Sequence, residues 1–433
     1  MWELVFGVIP ANAGIYSRRI EFQGIPGRRL HCAWNGEPLI DTQRSLHLCV
    51  EIFLNVVRND MELAPEDSLR LNVLLAQELK AVRIDESRMT VHALTAEGEA
   101  VVPLNPNRRD DQYLKGVREL LSSQVLGSPG GYPVFLKRWT RMGQTRDDNL
   151  DSLLLLGEPE AVVAVVHAAG LTPEHARLAW WAMPEADNAR RMLERKAIAE
   201  SEVGQELARH LLDYLPFETE AKAIQDTVRL VLQPGLATDA VRQDLWQKAG
   251  RKGVYYVGFL QACPDELPES CPAHPEWEGT RQALAELHEA GNPFAALLCK
   301  ALSPEGQMFL KVAELAMGKL ANQDATVALF EAIGSYFAAA RLAAVACRDS
   351  EAAVAHAEVC VNAPLSTAPG LADVLAATPE QRERLTALLT LAMAGEAMLD
   401  SFFAYSDAVG PLMRRKLAPW TEPMLAQMQR LRS

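Results

Sequence analysis

Apolar positions in this chain recur with a period of two in one short stretch. They recur with a helical period almost everywhere beyond Asn149. The first foldable text begins at Met61. Pro65-Glu66-Asp67-Ser68 has the chemistry of a helix start, with acidic groups against the positive end of the dipole. Leu69, Leu71, Val73, Leu74 and Leu75 then supply an apolar face. Alternation over 81–85 and 89–94, a turn at Gly98 and a return over 100–104 predict a small antiparallel unit closed by Asn105-Pro106-Asn107. Residues 110–123 read as a helix, with Tyr113, Val117, Leu120 and Leu121 on one face.

Helical punctuation then takes over. Glu158-Pro159-Glu160 opens AVVAVVHAAG, which Gly170 closes, and Thr172-Pro173-Glu174 opens a helix bearing Trp180 and Trp181 that ends at Pro184. Further helices are predicted over 185–196 and 204–214, the latter stopped by Pro216. An internal echo links Gly170-Leu171, Glu174, Arg177 and Trp181 with Gly235-Leu236, Asp239, Arg242 and Trp246 at a displacement of 65, together with Val163/Val228 and Val166/Val231. Short helices with one apolar face each must stack to bury it, as HEAT-like arrays do. From about Pro275 the text is rich in Ala, Leu and Met, is broken once near Pro364, Pro369 and Gly370, and reaches Gly410-Pro411 before a short basic tail of Arg414, Arg415 and Lys416.

The pattern predicts a mainly α protein in which a small N-terminal α+β module is followed by a HEAT-like stacked-helix array. The expected divisions are 61–146 for the module, 147–262 for the array, 263–275 for a Pro-rich linker and 276–433 for an Ala/Leu-rich all-helical region. Residues 1–60 carry six Arg, no Lys and no sustained periodicity. Ala11-Asn12-Ala13 mimics a signal cleavage site, but Glu3 and Pro10 are wrong for one. VIPANAGI reads like a translated interspersed DNA repeat, so the expectation is a start assigned too early, a disordered segment, and Met61 as initiator.

Length, 433 residues, allows two to three domains, and a net charge of −13 makes nucleic acid and anionic membrane surfaces poor default partners. No apolar run has the roughly 20 residues a membrane helix needs. Seven cysteines, an odd and sparse set, point to a reducing cytoplasm rather than a disulfide framework. Cys263 and Cys271 have seven residues between them and do not match zinc spacing, even with His274 and His288 nearby. As exposed-loop thiols they are instead candidate reactive groups that could carry sulfur.

No phosphate loop, GxSxG, HExxH or CxxC string occurs, so neither an enzyme nor a bound cofactor or metal is expected. GSPGGYP (127–133) reads as a turn, and His167 and His356 as core histidines of apolar helices. Lys137, Arg138, Arg141 and Arg146, with Trp139 among them, form a candidate interaction patch; basic residues interleaved with an aromatic grip phosphates and stack bases, so RNA is the alternative partner.

Several long strings resemble one family. They are EDSLRLNVLLA (66–76), RIDESRM (83–89), VLGSPGGYPVFLKRWTRMGQ (125–144), LLLLGEPEAVVAVV (153–166), WWAMPEADNARRMLER (180–195), YLPFETE (214–220), VRLVLQPGL (228–236) and YYVGFLQA (255–262). On these the chain from Met61 to about Pro268 resembles DsrS, a soluble cytoplasmic protein family of the dissimilatory sulfite reductase cluster in sulfur-oxidising proteobacteria. The resemblance implies an accessory or regulatory role in cytoplasmic sulfur oxidation with a protein partner from that machinery. It assigns no catalytic residue.

Overall fold

The computed structural model describes residues 3–9, 17–23, 63–126, 150–342, 347–363 and 368–433. The protein is mainly α, with 21 α-helices among the described residues and a small three-stranded antiparallel sheet in the N-terminal part. It divides into two compact units: Met1–Leu69 with Asn105–Val117, and Arg70–Leu104 with Arg118–Ser433.

In the first unit, β1 (Glu3–Ile9) pairs antiparallel with β2 (Ser17–Gln23), placing Glu3 opposite Gln23 and Ile9 opposite Ser17. The rest of 1–60, where disorder was expected, lies outside the described residues. Helix α1 (Pro65–Leu75) begins where its punctuation predicts, and α2 (Asp110–Leu126) starts on two acidic residues. Asp67, though, is more than a helix-start charge. It is fully buried and accepts from the Tyr113 hydroxyl at 2.5 Å, the Asn105 amide N–H at 2.6 Å and the Asn105 side chain at 3.3 Å. A buried carboxylate is tolerable only when its lone pairs are filled in this way. Burial, with Asp67 beside it, pushes the Tyr113 hydroxyl up to about 12, so it stays a donor at any physiological pH.

Within the second unit the strand order is β3 (Leu79–Asp85), β4 (Thr90–Thr95), β5 (Glu99–Pro103). Val82, Val91 and Ala93 are buried on one face; on the other, Ala81 and its partner Leu94 join the helical core while Arg83, Thr90, His92 and Glu99 keep partial or full exposure. The turn into β4 puts Met89 at φ 49°, a left-handed conformation that costs an L-residue with a side chain about 1 kcal/mol. Met89→Gly is expected to raise stability by about 0.5 kcal/mol, after the larger unfolded-state entropy of glycine is subtracted. A urea midpoint that does not rise would contradict it.

The helices that follow are α3 (Leu150–Leu154), α4 (Pro159–His167), α5 (Pro173–Ala182), α6 (Ala186–Leu193), α7 (Lys196–Ala199), α8 (Glu202–Tyr214), α9 (Ala221–Val231), α10 (Asp239–Ala249) and α11 (Val254–Ala262). Helices α3 and α5 pack on β3, and each later helix packs on near neighbours in sequence: α6 on α8, α8 on α9, α9 on α11. The stretch expected as one helix over 185–196 is two, α6 and α7. The internal echo at a displacement of 65 does not hold: the helix starts match at 66, where none of its residue pairs is kept. At 66 the N-caps Thr172 and Thr238 coincide, as do buried Val162/Val228, Val165/Val231 and the indoles Trp180/Trp246. At 65 Val163, which is exposed, would have been matched to buried Val228. Packing does not repeat with the sequence, because α4 rests on α5 whereas α9 rests on α11.

Residues 263–276 hold no helix or strand, and they are strapped down rather than loose. Arg242 donates to the Glu266 carbonyl, the Trp246 indole to Glu269, and Lys300 pairs with Asp265 at 2.8 Å. Beyond lie α12 (Trp277–Ala283), α13 (Ala285–Glu289), α14 (Pro293–Leu302), α15 (Pro304–Met317), α16 (Gln323–Tyr336), α17 (Ser350–Asn362), α18 (Pro369–Ala377), α19 (Arg382–Ala392), α20 (Glu396–Phe403) and α21 (Gly410–Arg432). One hydrophobic core runs from Ala81 to Leu431, continuous on both sides of the strap.

Helix α19 is the hub of the C-terminal part, packing on α14, α16, α17 and α21. Every residue from Leu385 to Ala392 is buried, and Thr386 and Thr390 satisfy their hydroxyls on the carbonyls four residues back. An all-round apolar helix of this kind belongs at the centre of a large core. Among the described residues no single helix is long and apolar enough to cross a membrane. The expected basic tail is instead part of α21, 23 residues long, in which Arg414 donates to the Leu320 carbonyl at 2.8 Å. His167 is exposed rather than a core histidine, because the apolar face of α4 falls on Val162, Val165 and Val166.

Candidate interaction surface

An aromatic ladder climbs from the core to the surface on α5 and α8. Helix α5 is fixed at its start by Pro173 and by Thr172, whose hydroxyl accepts from the His175 N–H at 3.2 Å. That register delivers Trp180, 7% exposed, against α8. Its indole N–H donates to Glu206 at 3.0 Å. One turn along α8 the His210 ring meets the indole edge-on at 4.7 Å between centroids, and a turn further Tyr214 lies over His210 at 4.4 Å. The spacing 206, 210, 214 keeps all three side chains on one stripe. Burial pushes the His210 imidazole below its ordinary pKa, a stronger influence than the opposing charge of Asp213. At neutral pH the middle rung is therefore an uncharged ring.

The ladder ends in water. Pro216 does not simply stop α8; it sets a 3-10 turn over Leu215–Phe217 in which Leu215 is buried and Phe217 is turned outward. Phe217 is 78% exposed and Tyr214 56%. The turn is held from behind, because Arg190, largely buried, donates to Glu218 at 3.2 Å, to Thr227 at 3.3 Å and to Asp187 at 2.6 Å. The segment carries Glu206, Asp213, Glu218 and Glu220 against one cation, Arg209, with Glu218 already paired to Arg190. The result is a rigid, exposed aromatic pair backed by packed rings and edged with carboxylates.

The residues singled out from sequence fall elsewhere. Lys137, Arg138, Trp139, Arg141 and Arg146, and the GSPGGYP turn before them, lie outside the described residues. Cys263 and Cys271 are both half-buried free thiols. Burial pushes the Cys263 thiol up, more strongly than Arg242 pulls it down, and a thiol with less thiolate is a slower nucleophile. Beside Cys263, a surface cleft is lined by Gln261, Pro264, Lys300, Glu331, Ser335 and Tyr336. Its one lysine is already engaged by Asp265 and lies 4.1 Å from the Tyr336 ring, and the Tyr336 hydroxyl donates to the same carboxylate at 3.0 Å. These bonds explain how the strap is anchored. Among the described residues no three His, Cys, Asp or Glu side chains are grouped to hold a metal.

Sequence reading missed the ladder because it singled out Trp181 for the echo. Trp181 turns toward Arg83, whose guanidinium lies 4.7 Å from its ring. The usable signal was the stripe at 206, 210 and 214 leading to a proline and an outward phenylalanine. No family model, no curated protein and no solved structure matches the chain.

Proposed function

We propose that this chain is an accessory or regulatory protein of cytoplasmic sulfur oxidation that works by docking a protein partner on Tyr214 and Phe217. The observation that carries the docking surface is Phe217. A phenylalanine left 78% exposed on a turn clamped by Arg190 is costly in water and gains when covered. Exposed aromatics with preset geometry are the residue types that dominate interface energy. Surrounding carboxylates and the chain's net charge of −13 favour a partner face with basic residues around an apolar socket. The pathway rests on the resemblance to DsrS. Two of the strings that carry it, 180–195 and 214–220, supply Trp180, Tyr214, Phe217 and the Arg190 clamp.

The test is retention of sulfur-pathway proteins from cells grown on sulfide by the wild-type chain and by Phe217→Ser. Truncating such an anchor should cost about 2 kcal/mol of binding, roughly a 30-fold weaker Kd. The urea midpoint should not move, because little of the ring is buried. Retention of no protein of that pathway, or equal retention by both chains, would reject the reading.

A further inference from the structure

The sheet face that carries Arg83 and His92, covered at its Ala81 end by the helical core, holds a group of side chains that the docking surface does not use. Thr90 and His92, two apart on β4, point to the same side, and Glu99 enters β5 directly after the Gly98 turn. His92 Nδ1 lies 2.6 Å from Glu99 Oε1, and His92 Nε2 lies 3.0 Å from Thr90 Oγ1. An ionised carboxylate can only accept, so Nδ1 carries the ring proton. In the neutral ring Nε2 is then the acceptor and the Thr90 hydroxyl the donor. This is the tautomer in which an imidazole serves as general base to a hydroxyl and is oriented by a carboxylate.

One further feature holds the arrangement. Arg83, the cross-strand partner of His92, donates to the same Glu99 oxygen at 2.9 Å and to the Trp181 carbonyl at 3.4 Å. The bond from His92 and then that from Arg83 hold the Glu99 carboxyl below its ordinary range, so it is ionised at neutral pH. The group is reachable: Thr90 is partly exposed, and Val101, opposite His92 on β5, is 52% exposed and offers an open apolar ledge.

We propose that Thr90, His92 and Glu99 form an acyl-transfer site for small, uncharged, unhindered esters. Thr90 Oγ1 attacks the ester carbonyl as its proton passes to His92 Nε2. The C–O bond to the alcohol breaks, and the leaving oxygen takes that proton from Nε2. Water, deprotonated by the same nitrogen, then attacks the acyl-threonine; the acid departs and the Thr90 hydroxyl is regenerated. Glu99 stabilises the imidazolium in both halves without taking a proton. The activity is separate from the docking role and does not depend on it.

The full-length protein is treated with a fluorophosphonate probe, and the modified peptide is located by mass spectrometry. Hydrolysis of p-nitrophenyl acetate is followed in parallel. The expected adduct is on Thr90, with hydrolysis at least 10-fold slower in Thr90→Val and in His92→Gln, as loss of general-base catalysis implies. Glu99→Gln should also slow it, and Thr90→Ser, a less hindered alcohol, should match or exceed wild type. Circular dichroism melts establish that each variant is folded. An adduct absent from Thr90, or hydrolysis unchanged in folded Thr90→Val, would overturn the proposal, since the ester would then be reacting with an ordinary imidazole.

Discussion

Gly334→Ala is expected to destabilise the protein by about 3 kcal/mol, although the same change in an open helix is stabilising. Gly334 lies in α16 where that helix meets the connection between α19 and α20. A methyl group there would sit 2.0 Å from the Ala394 carbonyl oxygen and 3.0 Å from its carbon. Neither atom belongs to a side chain that could swing away. The backbone crossing must open, and Arg341, which donates to the Gly334 carbonyl at 3.2 Å and the Ala392 carbonyl at 2.9 Å, is strained with it. Gly279, in α12, has no atom near enough to meet an added methyl, so Gly279→Ala should gain about 0.5 kcal/mol through the unfolded chain. Opposite shifts of the two urea midpoints are the signature. A neutral or stabilised Gly334→Ala would mean that α16 and the 394 backbone are not in contact.

What could be read in the sequence was local. Thr172-Pro173 announces a helix start because the cap hydrogen bond and the preset φ of proline are made within three residues. The period-two stretch gave three strands close to their observed bounds. What failed was whatever depends on distant partners. Leu69 and Val73 were assigned to the apolar face of α1, yet they are exposed while Leu71 and Leu74 are buried. Trp180 and Trp181 are equivalent to any local rule, and only the position of α8 makes the first an anchor. Thr90 and His92 share a face by alternation alone, but the carboxylate they need comes from a strand whose register is set by the Gly98 turn. Asp67 was placed as a helix-start charge and is the centre of a buried knot with Asn105 and Tyr113.

The hardest feature to foresee is the clasp that joins residues 274, 384 and 433, and its removal is the second large effect. Arg384, near the start of α19, donates to Glu276 at 2.5 Å, to the Gln381 side-chain oxygen at 2.7 Å and to the Ser433 main-chain oxygen at 3.0 Å. His274 is buried; its Nδ1 accepts from the Glu276 N–H at 3.1 Å, so Nε2 carries the proton and donates to the same Ser433 oxygen at 2.8 Å. Arg384 also approaches that nitrogen at 3.2 Å, but two donors cannot bond each other, and both are aimed at Ser433. Arg384→Ala leaves the buried Gln381 amide oxygen and the Ser433 oxygen short of donors, and it removes the cation from Glu276. With Arg384 mostly buried and Glu276 half exposed, the cost should be about 3 kcal/mol, at the low end for breaking a buried pair. The hydrogen bond from Arg384, then that from Gln381, lowers the Glu276 carboxyl to about 2. A carboxyl depressed in the folded state stabilises above its unfolded pKa, near 4.5, and that contribution fades as pH falls from there toward 2. Urea midpoints at pH 7 and pH 3 should therefore differ less for Arg384→Ala than for wild type. Equal pH sensitivity in the two chains would show that Glu276 is not held by Arg384.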